Sequence, residues 1–353
     1  MMELPTVAAP CPLCRSDDAQ PVWSTPDRAL GVPGVYTVAR CRACGFLYQR
    51  PRVRDDALVL CYPDHYPRHQ EPSPRVPFRG SPARIRAVRC ALAKHLAYPG
   101  FRGDFGVLTR LRARGLVARL RWSCPPWIGR GRYLDVGCGS GATLGVAQAL
   151  GWDVSGIEVD EAAAAKARRF TRNLHVGDVL DAPFADGCFD VVTAFHVLEH
   201  VVDPVAVVRR MLDWLAPGGL LIVEVPNAGG LGAALFGRSW VGLELPRHLS
   251  HFTPATLERT IRTAGGRVTW CWHRAQPRYY LWSLSTFVRD RGYARLARSL
   301  EWRPVRAALK LFLEAALPLV SWMRRGEVIR IAAVRAPTPS SGREDPAARR
   351  PTG

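Results

Sequence analysis

Residues 132–141, RYLDVGCGSG, join an apolar strand pattern to a glycine loop and carry an acid, Asp135, just before the loop. The glycines are Gly137, Gly139 and Gly141. Extended by Ala142, the loop reads GxGxxA, which the dinucleotide-binding fingerprint also accepts. The glycines therefore predict a nucleotide-like ligand at the end of a strand, and the neighbouring residues must indicate which one.

Two further acids follow the next two strand patterns. Glu158 ends the second strand pattern, in GIEVD, 21 residues after Gly137. Asp178 ends VGD, and Val179 beside it belongs to the same predicted cofactor-binding set. Asp135 would repel a pyrophosphate but attract the ammonium and sulfonium of S-adenosylmethionine. A carboxylate at Glu158 can accept both ribose hydroxyls, and Asp178 can accept from the adenine amino group. Three acids at successive strand ends therefore favour S-adenosylmethionine over a nicotinamide cofactor.

Four of the ten cysteines form two CxxC pairs with 26 residues between the pairs. They are Cys11, Cys14, Cys41 and Cys44. This spacing lets four thiolates surround one tetrahedral Zn²⁺, and Gly45 suits the tight turn after the second pair. A redox role is disfavoured because a redox CxxC needs only one pair, at a strand-to-helix junction. The N-terminal residues MMELPTVAAPCPLC have neither the basic start nor the apolar core of a signal peptide, so we expect a cytoplasmic protein. In a reducing compartment the cysteine pairs favour metal over disulfides, and we predict one structural zinc.

Candidates for proton transfer lie in two segments that follow strands. HVLEH contains His196, Glu199 and His200, and PRHLSH contains His248 and His251. His251, His248, His200 and Glu199 are the predicted catalytic set, while His196 is placed with the cofactor-binding residues. An imidazole near its normal pKa can take a proton at neutral pH. The alternative is that the histidines only hold their loops through backbone hydrogen bonds. HVLEH also satisfies a zinc-peptidase pattern, but it follows a strand and precedes Asp203 and Pro204, whereas that pattern requires an open helix.

Strand and helix patterns alternate from residue 132 to residue 226, which predicts an α/β fold with a parallel sheet covered on both faces. We divide the chain into a zinc-ribbon-like module (1–60), a basic helical connector (61–130), a core (131–336) with an insertion at about 277–325, and a disordered tail (337–353). The insertion contains VRAALKLFLEAALPLVSWM. This run is too short to span a bilayer, and we predict a packed core helix rather than an interfacial or lid helix.

The formal net charge of +19 is unevenly spread: residues 40–132, a quarter of the chain that includes the connector, carry 20 Lys or Arg against 5 Asp or Glu. Such a field favours acidic partners. The connector has two segments with helical apolar spacing, IRAVRCALAKHLAY and VLTRLRARGLVARLRW. We expect two amphipathic helices packed on the core with solvated arginines, and peripheral membrane contact is the alternative.

LDVGCGSG, GIEVD, VGD, FDVVTAFHVLEHV and LAPGGLLIVEVPN together resemble the successive motifs of class I S-adenosylmethionine-dependent methyltransferases, in the branch of the ubiquinone and menaquinone enzymes. CPLC, CRACGFLYQRPR, YPDHY and GLELPRHLSHFTPATL resemble a bacterial subgroup that adds a zinc-binding module. The resemblance implies a Rossmann-like seven-stranded sheet with an antiparallel last strand. Quinone-methylating relatives hold a divalent ion with two carboxylates and a histidine at HVLEH. Here His196 replaces the first carboxylate.

The predicted function is methyl transfer, mainly to oxygen, on a small-molecule or carrier-linked acceptor such as a sugar, a quinone-like compound or a secondary metabolite. An RNA base methyltransferase with a zinc-ribbon recognition module is the alternative, since the connector is basic. It is disfavoured because no Asn/Asp-Pro-Pro-aromatic loop follows the fourth strand, and a nucleic-acid partner is not expected. A non-enzymatic scaffold is the third interpretation, which the intact acids and glycines oppose.

Overall fold

The computed structural model describes residues 4–62, 74 and 76–337. The motif YPDHY after its first residue, Tyr62, and the predicted tail from residue 338 onward lie outside these ranges. The N-terminal module is a small β-structure. Its strands are β1 (Thr6–Val7), β2 (Ala19–Pro26), β3 (Val35–Cys41), β4 (Leu47–Gln49) and β5 (Arg52–Val53). β3 pairs antiparallel with β2 and β4, and β1 pairs with β5. The two cysteine pairs lie in the turns before β2 and between β3 and β4.

The connector contains two helices, α1 (Pro82–His95) and α2 (Val107–Ser123), at the two places where the apolar spacing predicts them. The Ser81 hydroxyl accepts a hydrogen bond from a first-turn amide of α1, a common way to begin a helix. Leu92 of α1 and Leu120 of α2 belong to one buried cluster with Trp152 of the core. The two helices therefore cover part of the core instead of standing free.

The core is a seven-stranded sheet in the order β12, β13, β10, β9, β6, β7, β8. Its strands are β6 (Arg132–Val136), β7 (Asp153–Glu158), β8 (Leu174–Val176), β9 (Phe189–Phe195), β10 (Leu215–Pro226), β12 (Gly266–Arg274) and β13 (Val328–Arg335). β6 to β10 are parallel, and β13 is antiparallel to both of its neighbours. The prediction of a seven-stranded sheet with an antiparallel last strand is confirmed.

Both faces of this sheet are covered by helices. The helices of the core are α3 (Ala142–Ala149), α4 (Glu161–Ala167), α5 (Pro204–Asp213), α6 (Leu231–Phe236) and α7 (Pro254–Thr263). Successive side chains of a strand point to opposite faces. Accordingly, Leu134 packs in the cluster that holds residues of α5 and α7, whereas Tyr133 packs in the cluster that holds residues of α1, α2 and α3. The parallel strands are thus buried on both sides, as their continuous apolar sequences predict.

The insertion between β12 and β13 forms α8 (Pro277–Asp290), α9 (Ala294–Glu301) and α10 (Arg303–Trp322). The prediction that α10 is a packed core helix is wrong, because Leu317 is its one buried residue while Phe312 is 68% and Trp322 79% exposed. Its sequence is apolar around most of its circumference, but α8, α9 and β12 contact only part of it. No helix in the described part of the chain is long and apolar enough to cross a membrane.

The N-terminal module and the core share a β-sheet. The short strand β11 (Ser250–His251) lies in the PRHLSH segment and pairs antiparallel with β4, with Ser250 opposite Tyr48 and His251 opposite Leu47. The resulting sheet has the order β11, β4, β3, β2. The PRHLSH segment is therefore fixed by the backbone of the N-terminal module with the four cysteines, which we call the cysteine module.

Candidate functional site

The glycine loop between β6 and α3 is shaped by three residues with left-handed backbone, Gly137, Gly139 and Gly141. A side chain at Gly141 would clash with Phe170, whose Cδ2 would lie 2.7 Å from the added Cβ. At Gly139 the added Cβ would meet no atom of the described residues within 4 Å. Gly139 therefore faces open space at the carboxyl end of the sheet, where ligands bind in open α/β sheets.

Glu158 lies at the end of β7 beside this loop and is buried. Its Oε2 accepts a hydrogen bond from the Gly139 amide at 2.8 Å, and its Oε1 accepts one from the Asp160 amide at 3.0 Å. A carboxylate offers about four acceptor positions. The two amide bonds therefore fix the carboxylate and leave positions for further donors such as ribose hydroxyls.

Asp135 lies in β6 next to the loop, with only 3% of its surface exposed. The Thr193 hydroxyl donates to its Oδ1 at 2.6 Å, and the hydroxyl of Tyr133 lies 2.8 Å from that of Thr193. Burial raises the pKa of Asp135 to about 7; the Thr193 bond opposes this rise and the charge of Glu158 adds to it. Two carboxylates held close together in a buried place are stabilised by a cation more than by a phosphate.

Asp178 and Val179 follow β8 and differ in exposure. Asp178 is exposed, and its Oδ1 accepts from the Leu180 amide at 2.8 Å, while Val179 is buried. The three predicted acids thus lie at the carboxyl ends of the neighbouring strands β6, β7 and β8. Asp178 has a different environment from the other two, because it is open to solvent.

His196 follows β9 and has a left-handed backbone, with φ of 58°, which is uncommon for a residue with a side chain. Its Nδ1 lies 3.0 Å from Glu199 Oε1 and its Nε2 lies 3.3 Å from Glu224 Oε1. Burial lowers the pKa of His196, but the bonds to the two carboxylates outweigh burial and raise it well above its usual range. A ring with a carboxylate oxygen near each nitrogen, and with its pKa raised by them, favours the doubly protonated form that donates to both acids.

Glu224 and Arg330 continue this network. They stand directly opposite each other on β10 and β13, and Arg330 Nη2 lies 2.6 Å from Glu224 Oε2. Burial raises the pKa of Glu224, but the bonds to His196 and the charge of Arg330 lower it overall. The result is an alternating row of charges from Glu199 through His196 and Glu224 to Arg330. We did not identify Glu224 or Arg330 from the sequence, although a charged residue within each of two apolar strands was a usable signal.

The three other predicted histidines are held by backbone carbonyls; His248 and His251 are buried, and His200 is half-buried. His248 Nδ1 donates to the Gly242 carbonyl at 2.9 Å, and His251 Nε2 donates to the Leu243 carbonyl at 3.0 Å. His200 Nδ1 lies 3.1 Å from the Arg247 carbonyl oxygen and 2.9 Å from the Tyr62 hydroxyl. Burial lowers the pKa values to about 4 for His200, 3 for His248 and 4 for His251. The premise of an imidazole near its normal pKa is therefore not met, and the geometry favours the loop-holding alternative.

Glu199, His200 and His248 each offer one potential metal-ligand atom, and these atoms lie within 4.8 Å of one another. Glu199 Oε2 is buried and has no hydrogen-bond partner among the described residues. His196 does not belong to this group, because its ring nitrogens face carboxylates. The arrangement differs from the two carboxylates and one histidine that the family resemblance implies for this segment, and elemental analysis of the protein tests whether the group holds a metal.

The four N-terminal cysteines converge. Cys11 Sγ lies 3.6 Å from Cys44 Sγ, and Cys14 Sγ lies 3.5 Å from Cys41 Sγ. Tetrahedral Zn²⁺ with Zn–S bonds of about 2.3 Å separates its sulfurs by roughly 3.8 Å, so the tetrad fits the ion. Each CxxC pair is followed by a residue with a left-handed backbone: Arg15 has a φ of 64° and Gly45 a φ of 76°. The two cysteine turns therefore have the same backbone conformation at this position.

The comparisons with known proteins agree with this site. A family model described as a methyltransferase domain matches residues 109–269. The ubiquinone biosynthesis O-methyltransferase of Thiobacillus denitrificans is 35% identical over 167 residues, which cover 42% of this chain and 69% of that protein. The enzyme of the same name from Ralstonia nicotianae is 34% identical over 164 residues, covering 42% and 68%. The chain belongs to the S-adenosylmethionine-dependent methyltransferases.

Relatives of the same name from Xanthomonas strains are matched over about 61–62% of their length. Among solved structures, an S-adenosylmethionine-dependent methyltransferase from Mesorhizobium loti is 17% identical with a TM-score of 0.40, covering 62% of this chain and 96% of that one. The structural score is too low to inform function. The family thus follows from sequence, while the acceptor of this chain does not.

Proposed function

We propose that this protein transfers the methyl group of S-adenosylmethionine to an oxygen atom of a small-molecule or carrier-linked acceptor. The observation that carries the proposal is the open face of Gly139 between two buried carboxylates, Asp135 and Glu158, in a chain whose relatives are named O-methyltransferases. The relatives' names concern ubiquinone biosynthesis, which supports a small-molecule acceptor. Nothing in the site favours the RNA alternative.

The residues around the loop fit the cofactor. Asp135 would face its cationic methionine part, Glu158 would accept from the ribose hydroxyls, and Asp178 with Val179 would border the adenine. Residues 137–141 would let the cofactor approach the backbone. When bound, S-adenosylmethionine supplies an activated methyl group on a sulfonium. The protein must then align the acceptor and exclude water.

We assign His196 a positioning role. Both of its ring nitrogens donate to carboxylates, so the imidazolium has no lone pair that could take a proton. Where the acceptor hydroxyl must lose its proton, we assign proton uptake to Glu199, since its Oε2 lacks a partner among the residues described. Glu199→Gln should then lower turnover by about a hundredfold and leave cofactor affinity unchanged.

We also propose one structural Zn²⁺ on the four cysteines and the division into module, connector and core given above. The spacing of the sulfurs supports the zinc, and all ten cysteines are free thiols in the structure. Zinc thiolates persist in reducing compartments, which supports a cytoplasmic location.

Incubation with methyl-labelled S-adenosylmethionine and panels of hydroxylated quinones, sugars and nucleotide-linked metabolites tests the function. We expect a labelled product whose methyl carbon has the chemical shift of a methoxy group, and much less product from Glu158→Ala protein when the cofactor is below saturation. Label found on nitrogen or carbon, or only on RNA, would contradict the proposal.

A further inference from the structure

A cavity of about 350 Å³ lies where β12 ends and α8 begins, with α10 as its opposite wall. Among the residues that the structure describes, four positively charged side chains line it, and Glu314 is the one carboxylate in its wall. The positive residues are Arg274, Arg278, Arg306 and Lys310. The volume falls within the usual range for small-molecule sites, roughly 300–1,000 Å³.

The charges of this cavity are poorly compensated by the protein. Lys310 lies 3.6 Å from Glu314, but across the described ranges no carboxylate makes an ion pair with Arg274, Arg278 or Arg306. Arg274 instead lies over the Trp122 ring, 5.0 Å from its centroid. Clustered like charges destabilise a fold unless an anion is bound.

The electrostatic environment of Arg274 also shows an excess of positive charge over negative charge. Burial lowers the pKa of its guanidinium, and the neighbouring cations Arg330, Arg278 and Arg119 lower it further, while Glu224 opposes them. The N-terminus of α8 adds to the field, since Gln276 and Pro277 line the cavity and no side chain caps the helix. First-turn amides and the helix dipole favour an anion at this position.

The cavity adjoins the candidate active site through one residue of α8. Tyr279 follows Arg278 directly, and its hydroxyl is close enough to His196, Glu199 and Glu224 for their charges to act on it. Burial raises the pKa of Tyr279, the imidazolium of His196 lowers it, and the two carboxylates raise it. Geometry connects the two places as well, because Arg274 and Arg330 lie over the same Trp122 ring, 5.0 and 4.2 Å from its centroid. Arg330 pairs with Glu224, whose other oxygen lies 3.3 Å from His196 Nε2, so the cavity borders the charged network at the end of β9.

We propose that this cationic cavity binds a phosphoryl or pyrophosphoryl group of the methyl acceptor and so delivers the acceptor's hydroxyl to the neighbourhood of His196. The link to the acceptor rests on the proposed function, whereas anion binding can be measured without it. Arginine forks match phosphate oxygens in pairs, and three guanidiniums exceed the charge needed for a single carboxylate. A soluble phosphoester and a phospholipid share this chemistry, and the exposed Leu311 and Phe312 on α10 lie close in sequence to Lys310.

The test uses the full-length protein and isothermal titration calorimetry with inorganic pyrophosphate. We expect saturable binding that weakens with added salt, and about a tenfold or greater loss of affinity in Arg274→Gln/Arg306→Gln protein. Arg295→Gln/Arg298→Gln is the matched control: it removes the same charge from exposed α9 positions outside the cavity wall, and it should bind as wild type does. S-adenosylhomocysteine affinity, measured on every variant, reports folding and tests the proposed function separately.

A second arm uses sedimentation with phosphatidylcholine vesicles that contain phosphatidic acid. Binding of pyrophosphate assigns the cavity to a soluble phosphoester, and binding of the vesicles alone, lost in the Arg274/Arg306 variant, assigns it to a lipid phosphate. Equal loss in the two double variants, or no binding of either probe by wild-type protein, would overturn the proposal even if S-adenosylhomocysteine binds normally.

Discussion

Replacing Asp27 by asparagine should destabilise the protein strongly, because Asp27 neutralises a charge that has no access to water. Both side chains of the Asp27–Arg247 pair are fully buried. The two guanidinium nitrogens each lie 2.8 Å from one oxygen of Asp27, a bidentate geometry. Asp27 also accepts from the amides of Ala29 and Val32. The pair joins the cysteine module to the loop that carries the buried histidines.

The magnitude follows from burial. Removing one partner of a buried ion pair typically costs about 3–5 kcal/mol, since the other charge stays desolvated. We expect the lower end, about 3 kcal/mol, because asparagine keeps an oxygen and Glu244 lies 3.3 Å from Arg247 Nε. Burial raises the pKa of Asp27, but the bonds from Arg247 lower it below its ordinary value. The stabilisation is therefore present above about pH 4 and is lost as the pH falls through the lowered pKa.

Urea unfolding at pH 7, followed by tryptophan fluorescence, measures the difference. The control is Asp186→Asn, which removes an ion pair of the same 2.8 Å length to Arg210, but with Asp186 64% exposed. An exposed pair contributes less than about 1 kcal/mol. If the two variants lowered the free energy of unfolding by the same small amount, burial would not be the source of the effect.

Four further predictions concern the site. Glu158→Ala should weaken S-adenosylmethionine binding by about 1.5–3 kcal/mol in calorimetry, and an unchanged affinity would remove Glu158 from the cofactor site. Because protonation of Asp135 removes an attractive charge, wild-type affinity should fall by up to about tenfold per pH unit below pH 7, and Asp135→Asn should abolish this dependence. Elemental analysis should give one zinc per chain, lost in Cys14→Ser and retained in Cys90→Ser; two ions would indicate that the group at Glu199 also holds metal. His251→Ala should lower thermal stability and raise the acceptor's Michaelis constant, whereas a hundredfold loss of turnover alone would restore its role as a base.

The fold of the core could be predicted from the sequence because each of its strands is specified by residues that are neighbours in the chain. Each parallel strand is a continuous apolar run in the sequence. The polar residue at the end of such a run lies at the carboxyl edge of the sheet, where ligands bind. Asp135 and Glu158 were placed beside the glycine loop on this basis. The convergence of the four cysteines could be predicted for the same reason, since two CxxC pairs specify which sulfurs meet without knowledge of the rest of the fold.

The burial of His248 and His251 could not be predicted from neighbouring residues in the sequence. It depends on pairing between residues 47–48 and 250–251, two short segments about two hundred positions apart with no periodicity of their own. The ion pair of Asp27 with Arg247 spans a similar distance along the chain. The exposure of α10 was missed for a related reason, because apolar composition states how much surface could be buried but not whether a partner surface is present.

The sheet shared by β4 and β11 has a consequence for recombination among related enzymes. Exchanging the cysteine module alone between two homologues would bring a foreign β4 against the native β11 and a foreign residue 27 against Arg247. Exchanging residues 4–62 together with residues 241–252 keeps both contacts within one parent. The two segments should therefore be exchanged together, although most of the cofactor-binding core lies between them in the sequence.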